Sequence, residues 1–306
     1  MEANVGGPGT VLVTGGAGFI GSHLVDQLVQ AGARAIVLDD FSSGDAANLP
    51  AGVEVIRADI ANPKIIEAIA AARPDAIVHA AAQVSVPRSM ADPDRDRMVN
   101  LVGTEHVLAG ARAAGGARVV FVSTGGGIYG ETPEPATEET LPRPKAYYSI
   151  HKYAAERYLE LSGVPYAIAR LANVYGPRQR SDLEGGVVAI LAERLAAGLP
   201  ITIYGTGEQR RDFVHVTDVV RALLAMVQTP NNGMWNVGTG TMTTVNELLR
   251  ATEGVFGAAT AIEHVPSRTG DVFQSCLAID AIGRDLGWAP TMSLADGLRT
   301  LAESGD

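Results

Sequence analysis

One cysteine in 306 residues, Cys276, excludes an intramolecular disulfide and makes a Cys-based zinc site untenable. That economy suits a reducing compartment. Basic residues are outnumbered, 24 Lys and Arg against 34 Asp and Glu, and the formal charge of −10 argues against nucleic acid as a partner. An anionic small substrate stays possible, because a few local arginines can set the field of one cleft. No run approaches the ~20 apolar residues that a membrane span needs. The opening Met-Glu-Ala-Asn-Val-Gly-Gly has neither the basic nor the apolar stretch of a signal peptide, so the expected location is the cytoplasm. Aromatic residues are few, at 5%, whereas glycine is abundant, at 35 residues. Such a balance predicts many tight turns and close backbone approaches, as in an α/β fold around a bound cofactor.

The first half alternates short β-like runs with longer helical ones. Strands are expected at Val11 to Thr14, Ala35 to Leu38, Val53 to Arg57, Ala76 to His79 and Val119 to Ser123. Helical periodicity covers Ile20 to Gln30, Pro63 to Ala72 and Arg97 to Ala114. This alternation predicts βαβ units with right-handed crossovers, that is, a doubly wound parallel sheet of Rossmann type. After about Asn173, Pro177, Pro200, Pro230 and several glycines punctuate shorter elements. The reading is a dinucleotide-binding domain over 1–172 and a smaller C-terminal substrate-binding lobe over 173–306, with 212–238 packing back on the first domain.

Glycines at 15, 18 and 21 follow the first strand and open the first helix. Gly15 permits the turn, Gly18 lets backbone approach a pyrophosphate, and Gly21 lets the helix pack close to the sheet. Free N–H groups at the helix start face the phosphates. Asp39 stands roughly 20 residues on, where a carboxylate binds ribose hydroxyls and repels a 2′-phosphate, so NAD is expected rather than NADP.

Tyr148-Ser-Ile-His-Lys152 sets a phenol and an ammonium on one helix face, with Cβ atoms about 5–6 Å apart. At neutral pH the phenol needs ~4 kcal/mol of help to act as a base. One cation about 4 Å away supplies that much at an effective dielectric near 20, so Lys152 and a positive nicotinamide together could make the shift.

The glycine turn, Asp59, His79-Ala-Ala-Ala82, Ser123-Thr124 and the Tyr/Lys pair come in the order of the extended short-chain dehydrogenase/reductase family. Asn173-Val-Tyr-Gly-Pro-Arg178, the run from Gly205 to His215, Asn236 to Gly240 and Arg268-Thr-Gly-Asp271 resemble later motifs of its nucleotide-sugar branch. Within that branch the chain is most similar to bacterial UDP-glucose 4-epimerases. The resemblance implies NAD as cofactor, a nucleotide sugar as substrate, inversion at C4 through a transient 4-keto sugar, and a homodimer built on the helices beginning near Arg97 and Tyr148. It also implies that Phe19, Ile20, Asp39, Asp40, Ser43, Asp59 and Ile60 line the NAD site. Ala80, Ala81, Ala82 and Asn100 would complete it, and Lys152 would hold the nicotinamide ribose beside the catalytic Tyr148. Asn173, Val187, Arg211, Arg268 and Asp271 would grip the nucleoside diphosphate. Val86, Ser123, Thr124 and Ser275 would border the sugar, with Ser275 standing where a bulky Tyr narrows the pocket in some relatives. A site opened there predicts entry for 2-acetamido sugars.

The hydroxyl loop, Ser123-Thr-Gly-Gly-Gly-Ile-Tyr-Gly130, is one residue longer than the family pattern. Counted from the strand, Thr124 is the catalytic hydroxyl; counted from Tyr129-Gly130, the place falls on Gly125. Thr124 is expected, with the extra residue absorbed as a bulge and Ser123 in reserve. Dehydratases and decarboxylases commonly place a carboxylate directly after that hydroxyl, and Gly125 and Gly126 cannot serve so. Epimerases of UDP-glucuronate, UDP-N-acetylhexosamines or GDP- and dTDP-sugars remain alternatives, as does a catalytically silent NAD-binding sensor. His79, His151 and His215 show no metal spacing, so no metal is expected and none of the three receives a chemical role.

Overall fold

The computed structural model describes residues 9–182, 186–257, 259–267 and 272–304. Six strands are strung along the first part: β1 (Thr10–Thr14), β2 (Arg34–Asp39), β3 (Glu54–Arg57), β4 (Ala76–His79), β5 (Arg118–Thr124) and β6 (Tyr166–Leu171). With Gly233–Val237 at the far edge they form one sheet in the order β3-β2-β1-β4-β5-β6-(Gly233–Val237), every neighbouring pair parallel. Their runs are apolar on both faces because both faces are covered. Val11, Val13, Val37, Val78 and Val120 point to one side, where helix α1 (Phe19–Gln30) and helix Val216–Gln228 lie. Leu12, Ile36, Ile77, Val119 and Phe121 point to the other, against α2 (Ile65–Ala72) and the later helices. The alternation is the period of two that a strand imposes.

Short helices α3 (Val86–Ala91) and α4 (Pro93–Arg97) follow β4. Each begins with a side-chain cap and a proline: Ser85 Oγ accepts from the Arg88 N–H, and the Asp92 carboxylate from the Arg95 N–H. The chain then runs through a π turn, Met98–Val102, into α5 (Gly103–Ala113). Where sequence periodicity predicts one helix from Arg97 to Ala114, the structure thus inserts a widened turn. Two contacts account for it. Asn100 turns inward to grip Gln83, and Gly103 lies so close to Ile60 that a Cβ there would be 2.9 Å from it. Such π turns cluster at functional sites.

Beyond β6 the elements are shorter. Asn173–Tyr175 pairs with Phe213–His215, Ile201–Tyr204 with Ile262–Val265, and Arg210–Arg211 lies between Thr243–Thr244 and Gln274–Ser275. Their core is separate, made of Tyr175, Leu191, Leu195, Ile203, Phe213, Leu248 and Leu298 among others. Helix Val216–Gln228 and strand Gly233–Val237 return to the large sheet.

Candidate active site

Strand order reverses between β1 and β4, and the crevice beyond the strands' carboxyl ends at such a switch point is where α/β sheets bind ligands. Gly15 has φ +68°, and a Cβ on it would lie 2.7 Å from the Ala81 nitrogen. At Gly21 a Cβ would lie 2.1 Å from the Gly15 carbonyl oxygen, so only glycine lets α1 close onto the turn. Gly18 caps α1 without a side-chain acceptor, and no acidic residue occupies the first turn. The N–H groups at Phe19 and Ile20 thus open a helix end that suits a diphosphate. Asp39, at the end of β2, accepts from the Ala17 N–H at 2.9 Å and the Phe41 N–H at 2.8 Å. Burial pushes its carboxyl up, and those two bonds pull it back. A carboxylate braced in this way, with lone pairs left over, suits a ribose diol.

Around this turn, Asp40 accepts from Ser42, and the Ser43 carbonyl accepts from Arg180 at 3.1 Å. Asp59 accepts from the Ala61 N–H and pairs with Arg95 at 2.9 Å, while Ile60 is buried against Gly103. Ala80, Ala81 and Ala82 continue from β4 past Gly15. Asn100 is placed behind this wall. Its amide donates to the Gln83 carbonyl at 2.9 Å and its oxygen accepts from the Gln83 N–H at 3.1 Å, which clamps the turn after Ala82.

His79 bridges two hydroxyls, with Nδ1 2.7 Å from Thr14 Oγ1 and Nε2 3.0 Å from Thr104 Oγ1. Thr104 donates its own proton to the Asn100 carbonyl, so His79 must donate from Nε2 and accept at Nδ1. Burial and the Lys152 charge push its pKa down to about 3, which keeps it neutral.

Helix α7 (Tyr147–Leu161) carries the phenol and the ammonium. Lys152 is 2% exposed, and its Nζ sits 4.0 Å from the centre of the Phe121 ring. Burial pushes it down to about 7, against the opposing pull of Glu156 and Asp96. Tyr148 is pushed up, by burial first and the Asp96 carboxylate second. Burial thus works against the phenol's ionisation, and it is this opposing effect that the charges of Lys152 and a nicotinamide would together have to outweigh.

The hydroxyl loop forms as a helical turn, not as the expected bulge. Helix α6 (Gly125–Tyr129) starts directly after β5, and Thr124 caps it by accepting from the Gly127 N–H at 3.3 Å. Ser123 is buried and donates to Glu156 at 2.6 Å, whose carboxylate also holds Arg170. Thr124 keeps a partly exposed side chain at the crevice. A Cβ on Gly125 would lie 2.7 Å from the Leu277 side chain, and one on Gly126 would lie 3.0 Å from Ser275 Oγ. On Gly127 it would lie 2.6 Å from Ser149 Oγ, which sets the loop against the first turn of α7.

Farther along the chain, Arg211 pairs in register with Ser275, which lies against Gly126, and the Arg211 guanidinium donates to the Arg210 and Phe273 carbonyls at 2.9 and 3.2 Å. Asn173 follows β6 and its N–H donates to the Asp212 carbonyl, while Val187 opens helix Val187–Ala196. Val86 is exposed at the start of α3. Arg268 and Asp271 lie outside the described residues. Sequence reasoning passed over Asp96, Glu156 and Arg170. Arg170 did leave a signal, as a charge inside the apolar run Tyr166–Leu171.

A family model described as the NAD dependent epimerase/dehydratase family matches residues 11–238. A UDP-glucose 4-epimerase of Mycolicibacterium smegmatis is 42% identical over 95% of this chain and 97% of its own length. The crystal structure of the Thermotoga maritima UDP-glucose 4-epimerase with UDP-glucose superposes with a TM-score of 0.93 at 41% identity, covering 96% of this chain and 97% of that one. For the Thermus thermophilus UDP-glucose 4-epimerase in complex with NAD the TM-score is 0.92 at 40% identity, covering 96% and 98%. With its glycine turn, Asp39 and the Tyr148–Lys152 helix at one switch point, the chain belongs to the NAD dependent epimerase/dehydratase family.

Proposed function

We propose that this protein interconverts UDP-hexoses by inverting C4, using bound NAD in a cycle that leaves no net oxidation. The observation that carries the reading is the composition of the reactive corner: one phenol, one ammonium and one hydroxyl, on a loop where Gly125 and Gly126 supply no acid for eliminating a neighbouring hydroxyl. The N–H groups at Phe19 and Ile20, Asp39 and Lys152 would hold NAD, which would supply reversible hydride acceptance at C4 and a positive charge near Tyr148. Tyr148 Oη takes the proton of the 4-hydroxyl and gives it back to the 4-keto oxygen on the return step. Thr124 Oγ1 hydrogen-bonds that same oxygen. Lys152, cationic beside the phenolate, favours the proton's departure and holds the nicotinamide ribose. Arg211 grips the diphosphate, so binding energy sits in the nucleotide while the sugar is free to turn over. The test is to incubate the purified protein with UDP-glucose and follow the anomeric proton by NMR. Appearance of UDP-galactose at equilibrium is the expected result, and unchanged UDP-glucose would refute the reading.

Ser275 beside Gly126 favours a second, wider reading in which UDP-N-acetylhexosamines also enter, since neither residue adds bulk to that wall. We further place the protein in the cytoplasm as a homodimer. Tyr147, Ile150, Tyr158 and Leu161 support the dimer: all are exposed, and their spacing puts them on one stripe of α7. Light scattering at micromolar protein decides it.

A further inference from the structure

We propose that Asp96 is a positioning residue for the catalytic pair: its carboxylate, gripped by His151, Gln83 and Asn100, locks α7 to the turn after β4 and so fixes where Tyr148 and Lys152 stand. This inference rests on the C4-epimerase reading for its reaction, and on geometry for its residue. The Asp96 side chain is fully buried. Oδ1 accepts from Gln83 Nε2 at 2.8 Å and from Asn100 Nδ2 at 2.9 Å, and Oδ2 lies 2.6 Å from His151 Nδ1. Three separate elements therefore meet on one carboxylate: the turn that follows Ala80 to Ala82, the π turn and α7. Gln83 is itself held at both ends, because its Oε1 accepts from the Ser85 N–H and its backbone is clamped by Asn100.

His151 lies between Tyr148 and Lys152 on their own helix, and its ring stacks on Tyr147 at 6.1 Å. A slide or rotation of α7 that moved either reactive group would have to break the short bond to Asp96. A carboxylate is costly to bury, and three donors from elements around the reactive pair are what make it tolerable here. A merely structural clamp could be built from uncharged amides. The charge has a further effect: after burial, the Asp96 carboxylate is the second cause that raises Tyr148. Of the other titratable groups packed near the pair, Glu156 of α7 is bound to Arg170 and His79 of β4 is neutral, while His151 faces Asp96 itself.

The experiment uses NAD-loaded wild type, Asp96→Asn, His151→Asn and His151→Leu with UDP-glucose. Asp96→Asn keeps the shape and loses the charge. It should lower kcat about ten-fold or more with little change in KM, since small misplacements of reacting groups are expensive. Both limbs of its kcat profile should also move to lower pH by about one unit, the scale of one removed charge. His151→Asn, whose amide can still donate to Asp96, should retain most of kcat; His151→Leu should lose it with the pH profile unmoved. If Asp96→Asn fails to fold, the contrast between the two His151 variants decides the matter, and equal activity in both overturns the proposal. A second readout needs no turnover: ultraviolet titration of the phenolate in NAD-loaded protein, with Tyr148→Phe as the blank in each background. Tyr148 should ionise at lower pH without Asp96, and an unmoved titration overturns the proposal even if UDP-glucose proves not to be a substrate.

Discussion

Arg170 and Lys152 are both cations buried beside β5, and they are treated in opposite ways. Arg170 is 1% exposed and meets Glu156 through Nε at 3.0 Å and Nη2 at 2.5 Å, with the Tyr129 ring 4.8 Å from its guanidinium. Its charge is fixed at any pH the protein will meet. Lys152, almost as buried, has an aromatic face at 4.0 Å where Arg170 has a carboxylate, and burial brings it down to about 7. Glu156 belongs to the helix that carries Lys152, yet its oxygens go to Arg170 and Ser123. A paired cation is part of the scaffold. An incompletely paired one is kept responsive, so that a bound ligand can set its charge and its partners.

The comparison is most exposed to a crossed pair of substitutions. At neutral pH, Lys152→Met and Tyr148→Phe should each cut turnover by about 10³-fold or more, with the folded state no less stable for losing a buried ammonium or a hydroxyl. Arg170→Met should do the reverse first, costing about 3–5 kcal/mol by leaving Glu156 buried without its cation. Denaturant midpoints and NMR rates on the same samples give both axes. A stable Arg170→Met, or an unstable Lys152→Met, would mean that the two cations do not differ in kind.

Next in size is the neighbouring pair of hydroxyls. Thr124→Val should lower kcat by ~10²-fold, the loss of a proton-transfer or oxyanion partner. Ser123→Ala should change kcat far less and instead cost about 1.5–3 kcal/mol, the worth of its bond to the Glu156 carboxylate. The opposite ranking in kcat would put the reactive hydroxyl on the scaffold side.

The smallest effect is on stability against pH. The folded pKa of Lys152 lies below that of the unfolded chain, so its contribution is most favourable above the ordinary lysine range and is lost as pH falls toward about 7, where it levels off. Wild type should therefore gain on Lys152→Met as pH rises above neutrality, by roughly 1.4 kcal/mol per unit at most. Arg170→Met should show no such slope against wild type. Melting curves of the cofactor-free proteins over that range check it.

The sheet was legible because its signals are local: apolar runs of strand length, a glycine turn between strand and helix, and Asp39 at the right distance. The hydroxyl loop was only half legible. Its helical turn packs Gly125 against Leu277, a contact between distant parts of the chain that no local pattern carries. Asp96 was hidden for another reason. It sits in Asp92-Pro-Asp-Arg-Asp-Arg97, a run that reads as a solvated helix face, and nothing in the spacing says that one of its carboxylates turns fully inward. For the phenol, the sequence shows the lysine's charge and not the burial that acts on both groups.

Leu277 against Gly125 also constrains how this enzyme could change its chemistry. A side chain at 125, beside the loop's hydroxyl, would meet the buried methyls of Leu277, which comes from a distant part of the chain. An acid gained there has to displace that leucine, so positions 125 and 277 are expected to change as a pair.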